Sequence, residues 1–441
     1  MAASTAVSWD DTPRRAPTAV RSAQFASLTG LRGFAALMVV TIHVAGMTQY
    51  PWLGMPDYGP VSLFVLSGYL LYRPWAKWSL RVGERPGVGT FARRRIGRIF
   101  PAYLAVLLVL VAVYPPSRPD GLDRWLQAIS LTGIYFPGGL MSELFQTWSL
   151  GTELSWYVAL PVMAVASAAI ARRFPPARGL WVVAALMSLS VLVSAAWRWW
   201  VASEELGKYF TYGFWLPGYL VCFAGGGSVA LFVEAHRAGL IPLTRLRTVA
   251  EDRWTLVVLA VAVILVGTST LGGPEGWQPT TFAEHQTRFI AATLLALVLL
   301  VAAVLGRPDS PLNLLLSTRW FNAIGRWSYG IYLWHLPIIY LLADFFDFPG
   351  GSWGAVLWFV VVLTASVPLS AATYRWVEVP AISWSRGRGL LGRREPVASP
   401  QRSSEADLPL AEVGTDTRAS STNSQPRTPT ATPTRSERPG E

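Results

Sequence analysis

The feature that most constrains this chain is the recurrence, along most of its length, of apolar runs near twenty residues long separated by short polar loops. Such a run matches the roughly 20 helical residues needed to cross about 30 Å of hydrocarbon. A helix is its natural form, because in lipid every backbone N–H and C=O must find a partner inside the segment itself. Ten candidates can be drawn, at approximately 32–50, 59–75, 98–115, 148–171, 180–200, 210–233, 254–271, 288–305, 320–342 and 353–376. They predict an all-α fold, a polytopic integral membrane bundle of about ten transmembrane helices. Composition points the same way. Hydrophobic residues make up 52% of the 441 and charged residues only 14%, whereas a soluble domain carries about a quarter charged residues. The 21 tryptophans suit the interfacial belts where an amphipathic ring sits between lipid and water.

Charge fixes the expected orientation. The loop 76–98 is rich in arginine, from Arg81 to Arg98, and so are the stretches holding Arg172, Arg173 and Arg178, then Arg237 to Arg253, then Arg386 to Arg394. The intervening loops 51–58 and 343–352 have no Lys or Arg, and 116–147 has only Arg118 and Arg124. Basic loops stay on the cytoplasmic side, so ten spans place both termini there, with the chain threaded through a bacterial cytoplasmic membrane. The net charge of +11 is spent on this asymmetry, which argues against a nucleic-acid partner. A further apolar stretch, Leu122 to Phe136, is about 15 residues long and broken by Gly133, so it reads as interfacial or re-entrant. Were it to cross, the spans would number eleven and the termini would separate.

Residues 1–27 form a polar lead, expected to be loosely ordered, and the first apolar run reads as an uncleaved anchor. The stretch 385–441 turns to Arg, Gly, Ser, Thr, Pro and Glu and reads as a disordered cytoplasmic tail. Chemistry must then reside in the helical bundle. Cys222, the single cysteine, excludes an internal disulfide. No histidines or carboxylates show metal-ligand spacing, so no metal is expected.

Ionisable groups inside a membrane helix are costly and usually face a cavity or a partner. Arg32 and His43 lie on the first run. Eleven residues at about 100° each make three turns plus roughly 20°, so the two share one face, separated along the axis by about 16 Å. That puts Arg32 at the cytoplasmic end and His43 near mid-depth, where an imidazole can serve as general base toward a hydroxyl or simply bond between helices. Arg95 and Arg98, at i and i+3, project together where the third helix leaves the cytoplasm, a geometry that suits phosphates as well as topogenic charge. Glu153 lies about a turn and a half into the fourth helix from its outer end, placed to orient an imidazole, steer an acceptor hydroxyl or pair with an arginine. Ser67 stands beside Gly68, a pair that either meets substrate or lets helices approach closely. His335, among aromatics and just before Pro337, either lines the cavity or fills the core. His236 and His285 read as solvated loop residues.

These segments together resemble the membrane-bound acyltransferase family 3, the bacterial inner-membrane O-acyltransferases. The likeness covers most of 28–380. LTGLRGFAALMVVTIHVAG is similar to that family's opening helix, with its arginine and histidine at Arg32 and His43. GPVSLFVLSGYLLY, RRRIGRIFPAYL, TWSLGTELSWY, SYGIYLWHLPI and YRWVEVP resemble the later motifs in the family's order. The sequence departs from them at Val61, where an Asp is common, at Leu63, where a Phe is common, and at Val379 in the Glu378–Pro380 motif. The resemblance implies a transmembrane acyltransferase domain over 28–384. It also implies an acyl-CoA donor, usually acetyl-CoA, as co-substrate with no tightly bound cofactor. The donor's phosphates would meet Arg32, Arg95 and Arg98, and His43 and Glu153 would be catalytic. A glycan, glycolipid or macrolide acceptor would lie near Ser67 and His335. Direct attack on the thioester and a relayed acyl-enzyme are both compatible with it. The competing reading is a transporter or flippase of the same architecture, although the paired broken helices common in transporters are not visible.

Overall fold

The computed structural model describes residues 18–48, 58–203, 210–274, 281–346 and 350–387. Among them every regular element is helical. The long rods are α1 (Thr18–Thr48), α2 (Tyr58–Ser79), α3 (Val88–Val113), α5 (Trp148–Ala171), α6 (Pro176–Ser203), α7 (Leu216–Arg237), α10 (Phe282–Leu305), α12 (Arg319–Phe345) and α13 (Gly351–Thr373). Shorter pieces are α4 (Gly121–Ser130), α8 (Thr244–Glu251), α9 (Thr255–Thr268), α11 (Pro311–Leu316) and α14 (Val379–Ser385). Seven of the described helices are long and apolar enough to cross a membrane. α2 and α12, at 22 and 27 residues, have the length but more polar sequences, and α9 is apolar but only 14 residues long. The protein is therefore a helical membrane protein.

One sequence expectation changes at this level. The first helix begins at Thr18, so the last ten residues of the polar lead (18–27) are already helical; residues 1–17 and the tail beyond 387 lie outside the described residues. The 122–136 stretch is the ten-residue α4 followed by a single turn of 3-10 helix at Gly133–Tyr135. At about 1.5 Å per residue α4 is far too short to span.

Glycine decides which helices meet. A side-chain carbon on Gly30 would lie 1.8 Å from the Leu316 carbonyl oxygen, one on Gly33 2.5 Å from that of Phe321, and one on Gly325 2.0 Å from that of Thr29. α1 thus lies backbone to backbone against the α11–α12 segment. Gly68 and Gly226 do the same for α2 and α7, each facing a carbonyl oxygen of the other helix at 2.0 and 1.8 Å from the missing carbon. Small residues are what permit such approach where lipid supplies no hydrophobic drive between helices.

The basic loops gather at one end of the bundle. The Arg81 guanidinium donates to the carbonyls of Arg172 and Phe174, while Arg73, Lys77 and Arg237 surround the buried Glu234 carboxylate. At the opposite end Tyr114 donates to Asp344 at 2.6 Å, tying the close of α3 to that of α12. Between α13 and α14 the helix widens into a π turn at Tyr374–Glu378, which leaves Glu378 buried. Such turns are frequent at functional sites.

Candidate active site

The glycine seam between α1 and α12 brings two imidazoles together. His43 is half-buried and His335 fully so, and their ring centroids lie 5.0 Å apart. His43 Nδ1 sits 2.7 Å from the Val39 carbonyl oxygen one turn back, and 3.3 Å from His335 Nε2. His335 Nδ1 sits 3.1 Å from its own upstream carbonyl, Ile331. A carbonyl oxygen only accepts, so each Nδ1 must carry the proton. His335 Nε2 is then a lone pair directed at the His43 Nδ1–H, and the basic nitrogen of His43 is Nε2.

The helix around this pair is shaped by Pro337. Proline lacks an N–H, so the carbonyl of Leu333, four residues earlier, loses its helical donor. The side chain of Gln146 fills that place, donating to the carbonyls of Leu333 at 3.2 Å and Tyr332 at 3.3 Å. Tyr332 in turn donates to the Gln146 carbonyl, meets the Ser149 hydroxyl at 3.0 Å and lies 6.2 Å from the His335 ring. The short 3-10 segment Ser142–Thr147 is thereby fastened to the histidine-bearing helix.

A second cluster lies nearer the arginine-rich end. The Ser67 hydroxyl donates to Glu153 at 2.8 Å. Arg32 lies within electrostatic range of Arg98, Glu378, Glu153 and Tyr157. Arg95 reaches over the Tyr157 ring, 6.0 Å from its centroid, and its Nε is buried without a hydrogen-bond partner. The Tyr329 hydroxyl donates to the Ile99 carbonyl at 2.7 Å, linking α12 to α3. Beyond this cluster a cavity of about 310 Å³ opens between α3 and α14, lined by Arg94, Arg95, Arg98, Ile382, Ser385 and Arg386.

All seven residues singled out from the sequence occupy this tract. Their partnerships differ from the simplest expectation. The imidazole of His43 is paired with His335, and the Glu153 carboxylate with Ser67, so the group that orients His43 is a second imidazole. His236 and His285 belong to helices, in the last turn of α7 and the first turn of α10. Sequence reasoning passed over Gln146, Tyr157, Tyr329 and Tyr332 and gave Glu378 no role. The spacing of Tyr329, Tyr332 and His335 by three marks one helical stripe and could have drawn them in. Glu378 is a solitary carboxylate at the end of the last long apolar run.

An imidazole with a fixed tautomer, a hydrogen-bonded carboxylate and a ladder of guanidiniums form a site for moving a proton beside an anionic substrate. The sequence matches, over residues 25–375, a family described as an acyltransferase domain. The chain belongs to that family. This acyltransferase is 25% identical to acyltransferase MdmB of Streptomyces mycarofaciens over 86% of the chain and 95% of the relative. It is 27% identical to the putative peptidoglycan O-acetyltransferase YrhL of Bacillus subtilis over 80% of the chain and 54% of the relative. O-acetyltransferase OatA of Staphylococcus aureus is 23% identical over 80% of the chain and 56% of its own length. The chain thus spans about half the length of the last two. No solved structure matches. The family and the seven long apolar helices together make the protein a membrane acyltransferase.

Proposed function

We propose that this acyltransferase moves an acyl group, acetyl in the first instance, from an acyl-CoA to a hydroxyl of a carbohydrate, glycolipid or macrolide-like acceptor. The observation that carries the reading is the inward-facing His43–His335 pair on the same helix stripe as Arg32. The donor enters from the arginine-rich end, its phosphates on Arg95, Arg98 and Arg32 and its thioester toward His43. The acceptor approaches from the other end. A relative whose name gives peptidoglycan as its substrate supports a carbohydrate acceptor.

The chemistry follows from the tautomer. His43 Nε2 takes the acceptor's hydroxyl proton as the oxygen attacks the thioester carbonyl carbon. The carbon–sulfur bond then breaks, and the departing thiolate recovers the proton from His43. During the step the imidazole is a cation in apolar surroundings, which is expensive without a partner. His335 Nε2, already an acceptor for Nδ1–H, supplies it. The Ser67–Glu153 pair lies along the route between the two ends.

In the membrane we assign ten spans, adding α2, α9 and α12 to the seven helices of sufficient length and apolarity, with both termini on the cytoplasmic side of a bacterial membrane. Purified His43→Ala, checked for insertion and yield, should lose all transfer of labelled acetyl from acetyl-CoA to a glycan or glycolipid acceptor pool. Turnover surviving in that variant would remove the imidazole from the mechanism.

A further inference from the structure

The cavity between α3 and α14 is lined by four guanidinium groups and no carboxylate. Its volume of about 310 Å³ is at the small end of ligand pockets but larger than a single ion needs. The two walls are held together by a close contact, because a side-chain carbon on Gly97 would lie 2.6 Å from that of Ser385. The guanidiniums are graded in depth. Arg95 and Arg98 are half-buried, whereas Arg94 and Arg386 are exposed at the rim. Arg98 also shares Glu378 with Arg32 further in. Like charges crowded this closely repel one another when the cavity is empty, and a polyanion relieves that repulsion. The buried, unpartnered Nε of Arg95 leaves a donor for it.

Resting on the acyl-CoA reading above, we infer that the rim pair Arg94 and Arg386 is a seat for the 3′-phosphate of coenzyme A, so that the site selects coenzyme A over donors lacking that phosphate. The order of groups along the donor sets the assignment. The thioester must travel deepest, the diphosphate follows beside Arg95 and Arg98, and the ribose phosphomonoester is left at the mouth. A phosphomonoester carries close to two charges near neutrality, and two guanidiniums on opposite walls can each grip it bidentately. Because Arg386, which caps α14, is one of the pair, the segment after the last long helix belongs to the donor site.

The test is equilibrium binding of coenzyme A and of 3′-dephospho-coenzyme A to the full chain in lipid nanodiscs, for the natural sequence and for the double variant Arg94→Gln, Arg386→Gln. Both positions are exposed, and size-exclusion elution checks that the variant is folded. The natural sequence should bind coenzyme A about tenfold or more tighter than the dephospho form, the order of one charge-assisted contact. The double variant should bring that ratio close to one. A ratio unchanged by the substitutions overturns the inference. So does a ratio near one in the natural sequence. If instead the substitutions release anionic phospholipid seen by native mass spectrometry and leave coenzyme A binding intact, the seat is for a lipid headgroup and the inference also falls. Failure of the natural sequence to bind either nucleotide would strike the donor reading itself, a different outcome.

Discussion

At the scale of single residues, the two imidazoles are unequal. His43 keeps Nε2 free as the basic nitrogen, and His335 meets the His43 Nδ1–H with a lone pair while tied to its own helix. His335 is therefore a positioning residue whose removal leaves an imidazolium without its acceptor. His335→Ala should lower kcat about 10- to 100-fold, the worth of a hydrogen bond to a charged group, with the donor KM unmoved. His335→Gln, whose amide oxygen can accept from Nδ1–H, should recover part of the loss. A steady-state series on the three proteins decides it, and equal kcat values would rule the role out. Arg32 and His43 were legible from the sequence because ionisable side chains in an apolar run have few places to go. Their partners were not. Periodicity reports which residues share a face of one helix, and nothing in it says that Glu153 meets Ser67 while His43 meets a histidine from a helix near the other end of the chain.

Helix boundaries were read well where hydropathy changes abruptly, as at Leu305 and Ala171, and poorly at Thr18, where a polar helix continues beyond the apolar run. α2 shows why pairing escaped notice. Gly68 and Gly226 look like any two glycines until their carbonyl neighbours are known, yet the seam they form carries Ser67 to Glu153. Gly226→Ala puts the added carbon 1.8 Å from the Val65 carbonyl oxygen and must force the two helices apart, and overpacking of this kind costs about 1–3 kcal/mol or more. Its thermal midpoint in detergent should fall clearly, and turnover should fall with it. Gly89→Ala is the control, since nothing lies within 4 Å of the position. An unchanged midpoint for Gly226→Ala would mean the seam is softer than drawn.

Across the whole molecule, the buried Cys222 makes the chain suited to labelling, because a thiol sealed in the core gives little background. Gly83→Cys and Asp309→Cys belong to loops at the arginine-rich end. In intact cells both should resist an impermeant maleimide that labels Gly138→Cys; the reverse pattern would invert the proposed orientation. That two-ended layout has an energetic corollary. In the proposed reaction one imidazole serves both halves, so the hydrogen leaving the acceptor's oxygen on one side ends on the donor's sulfur on the other as the acyl fragment passes the opposite way. The exchange is neutral for neutral. A membrane potential of 100 mV, worth about 2.3 kcal/mol per elementary charge, should then neither drive nor retard net turnover in sealed vesicles, and the proposed thioester donor alone would supply the free energy of transfer.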